Sequence, residues 1–239
     1  MTTLSVFIIC WAGKEANAES IAKQIAGHVD QLVIIYSTID ASKRSGSGIW
    51  VQVPNDWYFG KKFSKSLELN TCNQMVHIQA DAHFDDWNSL IDQFKCATQN
   101  IGNLGIWSPN FDNTNWDTSS VEVLSSPDNR YAFVVQTDCI VWGITESVIQ
   151  RLKKLNYESN NLGWGIDWAA ATFCFTRNML VVRDLQMNVR HEQGTGYEIN
   201  EAAIDMSNFL KQLSPQEKIM YKILNRFVIG QRPKTVIDL

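Results

Sequence analysis

The segment Leu4–Cys10, LSVFIIC, is an unbroken apolar run rich in β-branched residues, and it constrains the fold more than any other stretch of the chain. A strand without polar alternation has both faces covered, which is the situation of a strand inside a parallel sheet. Beyond it Ile21, Ile25 and Val29 recur at helical spacing, with Asn17 as the expected cap, and a second apolar run follows at Gln31–Tyr36. Strand, helix and strand in this order open a parallel α/β sheet.

The alternation continues downstream. A short strand is expected at 49–53, stopped by Pro54, and then a helix whose inner face is Phe59, Phe63 and Leu67. Residues 75–79 read as a strand, and Asp85 or Asp86 caps a helix carrying Trp87, Leu90, Ile91 and Phe94 on one side. After a strand at 104–107, the polar stretch 108–130 reads as a long surface loop with a hairpin. Strands are expected at 131–136, 139–142 and 179–183, with helices opening at Thr145 and after the turn Gly163-Trp164-Gly165. The tail from Glu198 holds two helical segments parted at Ser214-Pro215, where serine caps and proline takes the first turn. The expected organisation is a main domain over 1–197 and a helical extension over 198–239 packed on it.

Length and composition exclude several classes. A chain of 239 residues with 45% hydrophobic and 19% charged residues buries a full core without metal or disulfide staples. Five dispersed cysteines, with no C-x-x-C, read as reduced thiols of a cytoplasmic protein. The apolar start lacks a basic leader region and is not read as a signal peptide, and no run is long enough to cross a bilayer. A net charge of −4 gives no electrostatic footprint for nucleic acid.

Three groups of residues carry chemistry. Gln79-Ala80-Asp81-Ala82-His83 follows the fourth expected strand, and Asp81 and His83, two apart, share a side in extended backbone. A carboxylate and an imidazole at a strand's carboxyl end suit a divalent cation that neutralises a diphosphate; a turn cap and a solvated loop histidine are the plainer alternative. In Gly163-Trp164-Gly165-Ile166-Asp167-Trp168 the glycines permit a tight turn and Asp167 falls at a helix start, where the helix dipole favours an anion. Such an aspartate serves as a general base or simply as an N-terminal helix residue. His191 precedes Gln193-Gly194-Thr195-Gly196-Tyr197, a glycine-bearing segment suited to fold over a bound ligand, and gains meaning as a partner for Asp81 and His83.

Taken in order, these pieces resemble the GT-A glycosyltransferases, especially family 2-like enzymes and the polypeptide N-acetylgalactosaminyltransferases. The resemblance rests on 4–36, on Asp81-Ala82-His83, on 163–167 and on His191, and spans nearly 1–197. It implies an α/β fold of GT-A type, with a nucleotide-binding βαβ opening, a mixed central sheet flanked by helices and a short helical C-terminal extension. It further implies Mn2+ or Mg2+ held by Asp81, His83 and His191, and a nucleotide-diphosphate sugar as donor. Asp167 is then the base of an inverting transfer, with Asp138 as its rival. Cys10, Trp11 and Ala12 would line the nucleotide base, with Gln79 and Ala80 beside it. Trp57, Gly60 and Lys61 would lie near the ribose or diphosphate, and Lys61, Lys62 and Lys65 are possible charge partners unless they form the wet face of their helix. Three departures stand out: Tyr36-Ser37 replace the usual acidic pair after the second strand, Gln79 replaces the first acid of the metal motif, and a single Asp167 stands where a pair of acids usually follows the glycine turn.

The acceptor is open among a glycan, a lipid-linked sugar, a protein and a modified nucleic acid, docked along 108–130 with Trp107, Phe111 and Trp116 as stacking faces. A non-catalytic sugar- or nucleotide-binding module of the same fold is the alternative. A nucleotidyltransferase ranks lower, because Trp11-Ala12-Gly13-Lys14 supplies a single glycine and a single lysine after the first strand. Lys218, Lys222 and Arg226 repeat every fourth residue beside Ile219, Ile223 and Phe227, so 214–230 reads either as a weak membrane-surface contact or as a helix packed on its own domain.

Overall fold

The computed structural model describes residues 2–38, 43–114, 116–191 and 198–231. In chain order the elements are β1 (Leu4–Cys10), α1 (Glu15–Ile25), β2 (Gln31–Tyr36), β3 (Ile49–Gln52), α2 (Phe59–Leu69), β4 (Gln74–Gln79) and β5 (Ala82–His83). Then come α3 (Trp87–Asn100), β6 (Leu104–Phe111), α4 (Thr118–Val121), β7 (Glu122–Ser125), β8 (Tyr131–Val134), β9 (Val141–Thr145) and α5 (Glu146–Leu152). The chain continues with α6 (Ile166–Thr176), β10 (Leu180–His191), α7 (Ile199–Leu210) and α8 (Pro215–Gln231).

The described strands form one mixed sheet in the order β3-β2-β1-β4-β9-β6-β10-β8-β7, with β5 paired to β10. The strands β3, β2, β1 and β4 run parallel, and antiparallel β9 separates them from the parallel pair β6 and β10. The order reverses between β1 and β4, and the crevice beyond the carboxyl ends at such a reversal is where an open α/β sheet binds ligands. Burial on both faces explains the unbroken apolar run of β1. Val6, Ile8 and Cys10 pack under α1 and α3, while Phe7 and Ile9 pack toward α2, α5 and α6.

Several expectations shift. Asn17 does not cap α1, whose cap position is Lys14; it lies within the first turn of the helix, and its amide donates to the carbonyls of Ala80 and Ala82 (the latter at 3.3 Å). Asp86, not Asp85, caps α3, accepting from Ser89 N at 3.0 Å. The stretch 108–130 is less loop-like than its polarity suggests. β6 runs on through Ser108, Pro109 and Asn110, and Pro109 is tolerated because β10 bulges between Asp184 and Asn188 beside it. Trp107 and Phe111 are consequently core residues, 0% and 4% exposed on the α3 side, and neither is a stacking face for an acceptor. The expected hairpin is present as β7 and β8.

Ser214 caps α8 as anticipated, and the cap is reciprocal. Its hydroxyl accepts from Glu217 N at 3.3 Å, and the Glu217 carboxylate accepts from Ser214 N at 2.7 Å. Glu217 also takes a bidentate pair of hydrogen bonds from Arg151 of α5, at 2.7 and 2.8 Å, while only 4% exposed. A buried pair of this kind is costly to break one-sidedly. Glu217→Ala is expected to destabilise the protein by about 3 kcal/mol in urea unfolding, since it strands Arg151 and removes the carboxylate half of the reciprocal cap.

His77 of β4 sits wholly buried against Phe63, with ring centres 4.6 Å apart, and between Phe7 and Phe59. The Ser66 hydroxyl donates to Phe63 O at 2.6 Å, so its oxygen accepts from His77 Nε2, 2.8 Å away. That places the proton on Nε2 of a neutral ring, and burial depresses its pKa to about 3. The unfolded chain takes up this proton below pH ~6.5, the folded protein only near 3. The stability is therefore whole above 6.5 and lost progressively as pH falls toward 3. Compared with His77→Phe, the wild type is expected to lose about 1.4 kcal/mol more per pH unit between pH 6 and 4, measured as unfolding free energy.

Candidate active site

The carboxyl ends of β1 and β4 lie side by side because Ile9 pairs with Gln79 in a parallel register. The chain leaves β1 through Trp11 and Ala12 and leaves β4 through Ala80 and Asp81. The turn holding Asp81 is fixed from three sides. Ala80 N donates to Ile9 O at 2.9 Å, Gln79 N to Ile140 O at 2.8 Å, and the Asn17 amide holds the carbonyls on either side of Asp81. Gln79 gives its side-chain amide to Cys139 O at 3.3 Å, which ties the Asp81 turn to the segment bearing Asp138.

Asp81 meets His191 across this edge, Oδ1 to Nε2 at 3.6 Å. That is an ion-pair separation, longer than a hydrogen bond. Both atoms are buried and lack a hydrogen-bond partner. Burial pushes the Asp81 carboxyl up, but His191 and the indole N–H of Trp11 outweigh it and hold the pKa below the usual carboxylate value. Burial likewise disfavours charge on His191, and Asp81 with the charges of Asp138 and Asp112 raises its pKa regardless. An orphaned carboxylate oxygen and an orphaned imidazole nitrogen at this distance fit one divalent cation, because two ligands ~2.1 Å from a shared metal stand roughly 3.0–3.6 Å apart.

His83 does not join them. Asp81 lies in a turn, so the alternation expected of an extended D-x-H segment does not apply. In the β5–β10 ladder Ala82 pairs with His191 and His83 with Arg190, and successive pairs face opposite sides. His83 therefore points away from the His191 side. Among the described residues no three His, Cys, Asp or Glu side chains gather as a metal-binding group. The segment 193–197 beyond His191 lies outside the described residues.

The second acidic pair is Asp138 and Asp167. Asp138 accepts from Thr114 Oγ1 at 2.9 Å. Asp167 lies in the first turn of α6, entered through Gly165 at φ +89°, and its Oδ1 accepts from Trp168 N at 2.8 Å. The residue keeps some exposed surface, yet its carboxylate is packed closely enough for loss of water to dominate: burial first, then the Asp138 charge, raise its pKa to about 7. The Trp116 indole donates to it and opposes the rise. Burial also raises Asp138, against Thr114, His191 and Arg183. The charge of Asp138 thus acts on both His191 and Asp167, which places the two pairs in one electrostatic unit.

The turn before α6 is built by two asparagines. Asn160 is fully buried; its Oδ1 accepts from Gly163 N and its Nδ2 donates to Trp164 O, both at 3.0 Å. Asn161 accepts from Tyr58 N and donates to Asp56 O, joining this turn to the start of α2. Gly60 fits against it, since a Cβ there would lie 1.9 Å from Asn160 O, so its role is this close approach. Trp57 is half-buried against the core, and Lys61 reaches outward to Glu158 at 3.8 Å. Lys65 likewise pairs on the surface with Glu68. Lys62 alone turns inward: fully buried, it donates to Cys10 O at 2.8 Å and Ser37 Oγ at 2.9 Å and lies 4.4 Å from the centre of the Trp11 ring. Burial lowers its pKa to about 8. Its ammonium stands at the ends of β1 and β2, beside Tyr36-Ser37, where the resemblance led one to look for acids.

Arg183 was not singled out by its sequence context, although a charge directly after the apolar run Leu180-Val181-Val182 and within the same strand is itself a signal. It is fully buried, donates to Thr118 Oγ1 at 3.0 Å and lies within reach of the charges of Asp138 and Asp117.

Neither a family model nor a curated protein sequence matches the chain. Solved structures do. Glucosyl-3-phosphoglycerate synthase from Mycobacterium tuberculosis, in complex with Mn2+, UDP and glucosyl-3-phosphoglycerate, superposes with a TM-score of 0.55 at 13% identity, covering 100% of this chain and 83% of that one. GalNAc-T7 with UDP, GalNAc and Mn2+ gives a TM-score of 0.62 at 8% identity, over 91% of this chain and 49% of that one. A crystal structure of a mycobacterial protein gives 0.59 at 11% identity, over 96% and 74%. The likeness fixes the class of architecture: this chain has the GT-A fold, a mixed α/β sheet flanked by helices.

Ionising Asp167 inside this enclosure opposes folding, because its folded pKa lies above the unfolded value of 3.8 and stability falls as pH rises between the two. Asp167→Asn is therefore expected to raise the melting temperature at pH 8 by a few degrees and to leave it nearly unchanged at pH 4. Scanning calorimetry at the two pH values checks this.

Proposed function

We propose that this protein is a glycosyltransferase that moves a sugar from a nucleotide-diphosphate donor to an acceptor hydroxyl, assisted by Mn2+ or Mg2+. The observation that carries the proposal is the meeting of two differently tuned pairs, Asp81 with His191 and Asp138 with Asp167, at the carboxyl edge of a GT-A sheet. The metal and UDP seen with glucosyl-3-phosphoglycerate synthase and GalNAc-T7 support the donor class.

Asp81 and His191 would hold the metal through the two orphaned atoms that face each other across the edge. The cation, when bound, supplies charge neutralisation for the leaving group. The nucleotide end of the donor lies along Cys10, Trp11 and Ala12, over the Lys62 ammonium and close to Ala80. Asp167 accepts the acceptor's proton as its oxygen attacks the anomeric carbon. A pKa of about 7 suits this, since a base works best when its pKa lies near the working pH. The negative charge of Asp138 keeps that pKa high, so Asp138 acts by positioning and tuning. A base placed to deprotonate the acceptor directly makes the transfer inverting.

The test is a panel of nucleotide sugars assayed for hydrolysis and transfer, with and without manganese. Turnover of one donor is expected, lost on chelation and in Asp81→Ala, and reduced ~10²–10⁴-fold in kcat by Asp167→Asn. The rate should rise as pH passes through about 7, where Asp167 ionises. Proton NMR of the product's anomeric signal reads the stereochemistry, and retention would remove Asp167 from the role of base. Donor binding without any turnover would make the protein a binding module of the same fold.

A further inference from the structure

The α8 helix uses one face to hold the domain and leaves the other bare. Leu224 and Val228 are buried, and Met220, Tyr221 and Phe227 pack beside them against the core. The opposite face carries Lys218, Lys222 and Arg226, all exposed, together with Ile219, Ile223 and Ile229 at 62%, 55% and 61% exposure. At 100° per residue these six positions fall within an arc of roughly 140°. Packing on the domain therefore accounts for the inner stripe of α8 and not for this outer one.

The charge on the outer face runs against the rest of the chain. The sequence as a whole is acidic, with a net charge of −4, yet the outer arc of α8 bears three cations and no acid. Glu217, the one acidic residue of α8, is turned inward and matched by Arg151. Cations interleaved with bare aliphatic side chains match a surface that offers negative headgroups above an acyl layer. Nucleic acid offers phosphates but nothing to take up isoleucine, and an ordinary acidic protein surface would leave the same isoleucines wet.

We infer that the outer face of α8 docks the protein on an anionic phospholipid surface. Lys218, Lys222 and Arg226 sit among the headgroups, and Ile219, Ile223 and Ile229 reach the acyl boundary. The inference is independent of the transfer chemistry, because docking is read without turnover.

The experiment is co-sedimentation of the full chain with vesicles of phosphatidylcholine alone or phosphatidylcholine mixed with phosphatidylserine. Two multiple variants serve as controls: Lys218→Gln with Lys222→Gln and Arg226→Gln, and Ile219→Ser with Ile223→Ser. All five substituted positions are exposed, and an unchanged melting temperature certifies that each variant is folded. Binding is expected only with phosphatidylserine and should weaken with salt. It should fall on the order of 10²-fold in the charge variant and roughly tenfold in the isoleucine variant. Equal binding to both vesicle types, or none to either, overturns the inference. So does vesicle binding that survives the isoleucine variant, which would reduce the face to a plain polyanion contact. Self-association that disappears in the isoleucine variant, without vesicle binding, would assign the face to a second copy and equally overturn it.

Discussion

The parallel ladder of β1 and β4 holds Ile9 opposite Gln79, and the two chains leave it together at the same edge. A ladder of this kind exposes carbonyls and N–H groups at its end that must find partners. Here they are met by groups that also shape the crevice. The Ala80 amide closes on Ile9, the Gln79 amide on Ile140, and the Lys62 ammonium on Cys10. The Asn17 amide crosses from α1 to hold the Asp81 turn, so the crossover helix that completes the βαβ unit also fixes the first acid of the site. Everything downstream depends on this edge, since β9 is hydrogen-bonded to β4 and carries Asp138 just ahead of it.

The two acidic pairs are pushed in opposite directions by one environment. Low solvation raises any carboxyl, and whether it stays charged is decided by the donors it faces. Asp81 faces an imidazole and an indole N–H and is held anionic. Asp167 has a second carboxylate near it and is raised to about 7. Separation of pKa values between neighbouring acids is how a site divides electrostatic stabilisation from proton transfer. The opposing sense of the two shifts is more informative than either alone, because burial raises both carboxyls and only their different neighbours separate them.

The parts of the fold legible in the sequence were those written in local pattern. The apolar runs of β1 and β2, the helical periodicity of α2 and α3, and the Ser214-Pro215 cap all depend on residues within a turn or two of one another. The misreadings have a common cause in distant partners. Asn17 looks like a helix cap until its carbonyl acceptors, 63 and 65 residues away, are in place. Ser108, Pro109 and Asn110 look like loop, and become strand because β10 runs beside them. His83 was grouped with Asp81 by strand alternation, and the turn at Asp81 breaks that alternation. His191 was legible as a candidate partner for Asp81 from its place before a glycine-bearing segment, but its position beside Asp81 comes from the pairing of Ala82 with His191. Lys62 was indistinguishable from Lys61 and Lys65 in sequence; the helix rotation that buries Phe63 is what carries Lys62 inward and leaves the others wet.

The position of α8 bears directly on the chemistry proposed for Asp167. Tyr221 of α8 meets Trp168 edge to face with ring centres 5.2 Å apart, and Trp168 meets Trp116 in the same way at 5.4 Å. Trp116 in turn donates to Asp167. These rings are large, rigid and apolar, and they take up space that water would otherwise fill around the carboxylate. The high pKa of Asp167 rests on that exclusion before it rests on Asp138, since burial is the larger of the two causes. A C-terminal helix remote in sequence from the acid is thus part of what keeps its pKa near neutrality. The buried Arg151–Glu217 pair, which fixes the first turn of α8, acts on the same property from further away by holding Tyr221 where it meets Trp168.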